Sequence, residues 1–150
     1  MPIAPAGRTS APQSPPSPSP ERLAVNLRVL AQERPDLAKK IAETPADPSL
    51  EFLVAPDGAL TATRDGRALA SKRRPREEAK RVADALDIRE HAVFVVMGFG
   101  LGHHVRAIAD RLGASGMICV FEPDLALLRA VLERVDCTAW FAKSCVILFD

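Results

Sequence analysis

The sequence predicts an α/β protein: a small α+β amino-terminal module of helices and a β-meander, followed by an incomplete Rossmann-like parallel βαβαβ unit. Residues 93–97 and 117–121 are short apolar runs separated by a glycine-rich turn and a helical pattern, which is the order of a βαβ unit. The continuous apolar run at 93–97 predicts a parallel strand that is buried on both faces. Ahead of them, residues 50–70 alternate between apolar and polar positions with turn signals in between, as antiparallel strands do. We expect three segments: a disordered Pro/Ser-rich tail (1–20), the α+β module with a linking helix (21–86) and the Rossmann-like unit (87–150).

Composition excludes several classes of function. The formal net charge is +1, which gives no global argument for nucleic-acid binding, and the apolar runs are far shorter than the ~20 residues that span a bilayer. The amino terminus lacks the order of a secretory signal, and the three cysteines, Cys119, Cys137 and Cys145, have no CxxC spacing. We therefore expect a cytoplasmic protein with no membrane span, no nucleic-acid partner and no metal site.

The tail is followed by a helical pair. Residues 1–20 hold seven prolines and four serines, so they cannot bury enough apolar surface to offset the entropy lost on ordering. From Glu21 onward apolar residues recur with helical spacing. Pro35 ends this first helix and can serve as the first residue of a second.

A β-meander comes next. Leu50, Phe52 and Val54 alternate as in a strand, and turn signals at residues 56–58 and 65–66 separate this strand from two more. The sequence therefore predicts three short antiparallel strands between the helical pair and the linking helix.

The linking helix begins with a run of basic residues. Pro75 suits the first turn of a helix, and Glu77 and Glu78 follow it near the positive end of the helix dipole. The ordinary interpretation is that the basic residues lie at the solvent-exposed start of the helix. The alternative is a phosphate contact from Arg73 or Arg76.

The glycine-rich turn and the acid after the next strand predict a nucleotide site. Gly98, Gly100 and Gly102 lie between a strand and a helix, where the absence of Cβ atoms lets backbone approach a ligand. Glu122, at the end of the following strand, can accept hydrogen bonds from ribose hydroxyls. The spacing G-x-G-x-G suits nucleoside-binding Rossmann-like folds such as S-adenosylmethionine methyltransferases. The alternative is that the glycines allow tight packing and that Glu122 caps the next helix.

Two histidines open the helix after the glycines. His103 and His104 lie where a crevice opens between strand and helix, so either imidazole could donate to a phosphate or act as a general acid or base. The sequence shows no second catalytic partner at a useful spacing, which leaves the catalytic residues unknown. The alternative is that both histidines are polar residues at the edge of the site.

A third strand ends the chain. Asp124 can cap a helix, and residues 146–149 form a short apolar run after it. A parallel sheet of three strands leaves apolar faces uncovered. We therefore expect an amino-terminal fragment that has no catalytic turnover by itself.

Three motifs resemble those of the motility accessory factor (Maf) glycosyltransferases in sequence and in order. The motifs are SKRRPREEAKRVADAL, VMGFGLGHHVRAIADRL and ICVFEPDLALLRAVLERVD, which match the family patterns hSxxxPxxEA, GxGLGYHh and IEPD, where h is apolar. The resemblance covers roughly residues 23–150. It implies the family's amino-terminal domain and the start of its central Rossmann domain, which is shared with the MptE-type pyrophosphokinases. His103 stands where the family usually has Tyr.

The resemblance also implies a function. Maf proteins transfer a nonulosonic (sialic-like) acid from a CMP-sugar to Ser or Thr of flagellin, so CMP-nonulosonic acid is the expected donor and flagellin the expected acceptor. The alternatives are a non-catalytic nucleotide-binding or assembly fragment, a methyltransferase-like protein and a protein related to the MptE-like pyrophosphokinases.

Overall fold

The computed structural model describes residues 13–142 and 146–150. Most of the predicted tail, residues 1–12, lies outside the described residues, as does Cys145. Residues 13–18 form neither helix nor strand, and the first helix begins at Pro20.

The described residues form six helices and six strands. The helices are α1 (Pro20–Glu33), α2 (Pro35–Glu43), α3 (Pro75–Asp84), α4 (His103–Leu112), α5 (Leu125–Leu132) and α6 (Thr138–Ala142). The strands are β1 (Leu50–Val54), β2 (Leu60–Arg64), β3 (Arg67–Ala68), β4 (Val93–Met97), β5 (Met117–Phe121) and β6 (Val146–Phe149). Within these segments, no helix is both long and apolar enough to cross a membrane.

The predicted meander is confirmed. β1, β2 and β3 form an antiparallel sheet in that order, and Phe52 lies opposite Ala62 in the register of the first pair. The hairpin between β2 and β3 turns at Asp65 and Gly66, which have φ angles of 49° and 77°. Positive φ at both positions is the geometry of a tight hairpin turn, which Asp-Gly favours.

The Rossmann-like unit is confirmed as a parallel sheet in the order β4-β5-β6. Because right-handed crossovers between successive neighbouring strands return on the same side, α4 and the α5–α6 pair cover one face of this sheet. The residues on that face are buried or half-buried: Phe94, Val96, Ile118, Val120, Val146 and Leu148.

The other face of the parallel sheet is open, so the expectation that β4 is buried on both faces is wrong. Val93 and Val95 are each 63% exposed and Met97 is 79% exposed. The continuous apolar run is typical of a strand covered on both sides, but the sequential strand order places both crossover connections on one side. The predicted uncovered face therefore exists, and β4 forms its most exposed part.

One hydrophobic cluster joins the helical pair to the Rossmann-like unit. It runs from Leu23 on α1 to Leu148 on β6. The fully buried Asn26 amide donates to the carbonyls of Leu132 and Val135, each at 2.8 Å, and its Oδ1 accepts from the Cys137 N–H at 2.9 Å. These bonds fix α1 against the α5–α6 connection. The division into domains at residue 86 stays a prediction.

Candidate functional site

The three motif segments meet around one cavity at the carboxyl ends of β4 and β5. The cavity has a volume of about 580 Å³, within the range of small-molecule sites. Its lining comes from the start of α3 and the residues before it, from the glycine turn and the start of α4, and from the turn after β5. The lining residues include Ser71, Pro75, Glu78, Gly98, Phe99, Gly100, Leu101, His103, His104 and Glu122. We call this the glycine cavity.

The three glycines of the turn have different surroundings, although all have positive φ. A Cβ added to Gly98 or Gly100 would meet no atom within 4 Å, so both positions present open backbone to the cavity. A Cβ on Gly102 would lie 2.7 Å from a ring carbon of Trp140. Gly102 therefore allows α4 to pack closely on α6, and it does not line the cavity.

Glu122 is bound to the glycine turn itself. Its Oε2 accepts from the N–H groups of Phe99 at 2.8 Å and Gly100 at 3.1 Å, and its Oε1 accepts from the Asp124 N–H at 2.9 Å. The residue is only 5% exposed, so these bonds compensate for burying its carboxylate. The carboxylate connects the turns that follow β4 and β5 and holds the glycine turn in one conformation.

Asp124, the other acid of the EPD triplet, has a structural role as well. Its Oδ1 accepts from the Leu127 N–H at 3.0 Å, which caps α5 as predicted. Its Oδ2 pairs with Arg64 on β2, and Arg64 also lies 3.0 Å from Asp47. The hydrogen bond from Arg64 lowers the pKa of Asp124, which therefore remains ionised at neutral pH. This cluster attaches the antiparallel sheet to the Rossmann-like unit.

The two histidines differ in exposure and in hydrogen bonding. His103 Nε2 lies 2.7 Å from the Leu60 carbonyl of β2, and because a carbonyl only accepts, Nε2 carries the hydrogen. Burial lowers the pKa of His103, so at neutral pH the ring is neutral, and its Nδ1, which has no hydrogen bond to any described residue, can act as an acceptor. His104 is exposed at the rim of the cavity. No side chain in the described part of the chain caps the start of α4.

The chain is similar in fold to a solved glycosyltransferase structure. A MAf glycosyltransferase from Magnetospirillum magneticum AMB-1 matches with a TM-score of 0.62 at 16% sequence identity, over 86% of this chain and 27% of that chain. The chain has a Maf-like fold. MNMC2 from Aquifex aeolicus matches with a TM-score of 0.39 at 14% identity, over 90% of this chain and 51% of that chain, which is too low to carry an argument.

Comparison by sequence gives a shorter match. Ribosomal RNA small subunit methyltransferase H of Nitrosomonas europaea is 43% identical over 54 residues, which are 36% of this chain and 17% of that protein. No protein-family model matches the sequence. The chain thus spans a minor part of both the methyltransferase and the MAf glycosyltransferase.

Two residues that the sequence analysis did not select also line the glycine cavity. Ser71 lines the glycine cavity, and its Oγ accepts from the N–H groups of Arg73 at 3.4 Å and Arg74 at 3.2 Å, which leaves its hydroxyl hydrogen free to donate. Glu78 is exposed at the same cavity, and its carboxylate has no ion pair within the described residues. Both are fixed positions of the hSxxxPxxEA pattern, which was the signal that could have identified them.

The structure also describes the potential metal ligands and two of the three cysteines. Residues 13–142 and 146–150 contain no group of three or more His, Cys, Asp or Glu side chains placed to hold a metal ion. Burial raises the pKa of the Cys137 thiol to about 12, so this thiol is not a nucleophile at neutral pH. Cys119 lies half-buried on β5.

Proposed function

We propose that the chain is the nucleotide-binding part of a Maf-like glycosyltransferase, and that the glycine cavity binds the CMP portion of a CMP-nonulosonic acid. In this proposal the whole protein transfers the sugar to Ser or Thr of flagellin. The observation that carries the proposal is the convergence of all three Maf-like motifs on one cavity of about 580 Å³. The similarity in fold to a MAf glycosyltransferase supports it.

The cavity offers a nucleotide open backbone and a few polar groups. Gly98 and Gly100 let a ligand approach the main chain closely, and the start of α4 attracts the negative charge of a phosphate. Glu122 uses three of its roughly four acceptor positions on backbone N–H groups, so Oε1 can accept at most one further bond, from a ribose hydroxyl. In this proposal Glu122 mainly holds the glycine turn in the conformation that binds.

In this proposal the two histidines make different contacts with the ligand. His104 at the exposed rim is free to donate to a phosphate oxygen. His103 is held by the Leu60 carbonyl and presents Nδ1 as an acceptor. The family usually has Tyr at this position, so an imidazole with an acceptor nitrogen stands where the family has a phenol ring.

Calorimetric titration with CMP tests the proposal. We expect Gly100→Val to weaken CMP binding at least about tenfold, or ~1.4 kcal/mol, because its side chain would project into open space at the cavity. Gly66→Val is the matched control: Gly66 also has positive φ and open space at its Cβ, but it lies in the β2–β3 turn. Equal CMP affinity in wild type and Gly100→Val, with both proteins folded by circular dichroism, would refute the site.

A methyltransferase-like function is the second candidate. The 43% identity to a ribosomal RNA methyltransferase over 54 residues favours it, as does the G-x-G-x-G spacing. S-adenosylmethionine in the same titration separates the two functions. Binding of S-adenosylmethionine in place of CMP, with the same loss in Gly100→Val, would favour the methyltransferase and overturn the glycosyltransferase proposal.

A further inference from the structure

A second cavity lies between α3 and α4, directly beside the glycine cavity. Its volume is about 500 Å³, and its lining includes Leu101 and His103, which also line the glycine cavity. Trp140 and Ala83 contribute apolar surface to it. A ligand seated in the glycine cavity can therefore extend past His103 into this second space, which we call the α3–α4 cleft.

The α3–α4 cleft has more cationic than anionic side chains. Its charged lining residues are four cations, Arg76, Lys80, Arg106 and Arg111, and two acids, Asp84 and Asp110. An excess of one sign of charge in a concave space focuses the field and attracts ligands of the opposite sign.

Three of these cations already have partners. Lys80 pairs with Asp84 at 2.5 Å, and Arg106 lies 3.7 Å from Asp110. Arg111 donates to the Ala83 carbonyl. These contacts fix the three side chains against α3 and α4.

Arg76 differs from the other three cations. Its guanidinium has no ion pair or hydrogen bond within the part of the chain that the structure describes, whereas its backbone N–H lies 3.4 Å from Asp57 Oδ2. Arg76 and His103 both line the α3–α4 cleft, and the positive charge of Arg76 contributes to the lowered pKa of His103, after the larger effect of burial. Among the described residues, Arg76 is therefore a cation without a partner, in the same cleft as His103, which also lines the glycine cavity.

We propose that the α3–α4 cleft is an anion subsite in which Arg76 binds a carboxylate or phosphate on the part of the ligand that extends beyond the nucleotide. The proposal rests on the proposed function for the position of the nucleotide. A guanidinium can bind either anion through two parallel hydrogen bonds, and Leu101 and Trp140 offer apolar surface to the body of the ligand.

The test compares Arg76→Gln with Arg73→Gln. Arg73 belongs to the same basic run and is exposed, but it lines neither cavity. The probes are CMP, CMP-N-acetylneuraminic acid, free N-acetylneuraminic acid and inorganic phosphate, each titrated by calorimetry and, for weak binding, by amide chemical-shift changes. The free acid and phosphate distinguish a carboxylate from a phosphate as the group that Arg76 binds.

We expect Arg76→Gln to weaken binding of CMP-N-acetylneuraminic acid about tenfold and to change CMP affinity less than about twofold, because only the larger ligand reaches the cleft. Arg73→Gln should change neither affinity. An equal loss for both nucleotides, or a similar loss in Arg73→Gln, would overturn the subsite. If CMP fails to bind wild type, the proposed function fails, yet Arg76-dependent binding of the free acid or phosphate would still support the subsite. Absence of all binding overturns both proposals.

Discussion

Glu122 determines the conformation of the glycine turn through three backbone hydrogen bonds. In Glu122→Gln one carboxylate oxygen becomes an NH₂ group, which cannot accept from the N–H groups that it faces. We expect a loss of about 1–3 kcal/mol in the free energy of unfolding, because at least one buried donor loses its acceptor. Urea denaturation measures this loss. Glu78→Gln is the control: it lies at an exposed position on the same cavity and should leave the free energy of unfolding unchanged. Equal stability of Glu122→Gln and wild type would contradict the structural role of Glu122.

Asp124 combines a helix cap with an ion pair, and two variants separate these roles. Asp124→Asn keeps an oxygen that can cap α5 but loses the charge that pairs with Arg64, so we expect it to lose less than ~1 kcal/mol at pH 7. Asp124→Ala also loses the cap and should be about 1 kcal/mol less stable than Asp124→Asn.

The effect of pH on Asp124→Asn follows from the lowered pKa of Asp124. A carboxylate whose pKa is lower in the folded than in the unfolded state stabilises the fold above the ordinary value of 3.8, and this stabilisation disappears as pH falls through the folded-state pKa. The stability difference between wild type and Asp124→Asn should therefore shrink at acidic pH, while the difference between Asn and Ala persists. Urea denaturation between pH 7 and acid checks this, and a constant difference at every pH would exclude the ion pair as its cause.

At the residue level, sequence patterns predicted which residues lie together but not which contacts they make. The glycines, the two histidines and Glu122 follow strands in the order that places them together, and all except Gly102 line one cavity. The bonds from Phe99 and Gly100 to Glu122 span 22 or 23 residues. Whether a carboxylate faces a ligand or its own backbone depends on how two turns meet, which local sequence patterns do not encode.

At the level of elements, the capped start of α1 marks the end of the predicted tail. Ser19 Oγ accepts from the Arg22 N–H at 3.1 Å, and the Ser19 N–H donates to the Glu133 carbonyl at 2.9 Å. We expect Ser19→Ala to lower the thermal midpoint and to cost about 1 kcal/mol, because the cap bond is lost. Ser17→Ala is the control, since Ser17 is exposed and lies outside any helix or strand. An unchanged midpoint in Ser19→Ala would place the stable start of the fold after residue 19.

Most helices and strands could be predicted from local sequence patterns, whereas the faces of the strands that are buried could not. Pro35 and Pro75 begin helices as predicted. The apolar residues that share one face of α4 at helical spacing are all buried: Val105, Ile108, Ala109 and Leu112. The exposure of Val95 could not be predicted in this way, because an apolar run does not indicate how many of its faces are covered. Coverage depends on the side on which the crossover helices return, which is a property of the whole sheet.

At the level of the whole molecule, the open face of the parallel sheet is the main exposed apolar surface within the described residues. It includes Val93, Val95 and Met97 of β4 and the partly exposed Met117 and Phe121 of β5. Contiguous apolar surface of this kind favours self-association. Towards β6 this surface is partly covered. Phe149 stacks on Phe121, and the Arg34 guanidinium lies over the Phe149 ring.

Charge placed on this face should reduce self-association without unfolding the protein. We expect Val95→Lys to change the free energy of unfolding by less than about 0.5 kcal/mol, because Val95 is 63% exposed, and to lower the apparent mass in light scattering at high concentration. Val120→Lys is the matched control: Val120 lies on the neighbouring strand, opposite Val96, and is fully buried, so a charge there should prevent folding. If Val95→Lys were as destabilising as Val120→Lys, the face would be buried in the folded protein, and the one-sided coverage of the sheet would be wrong.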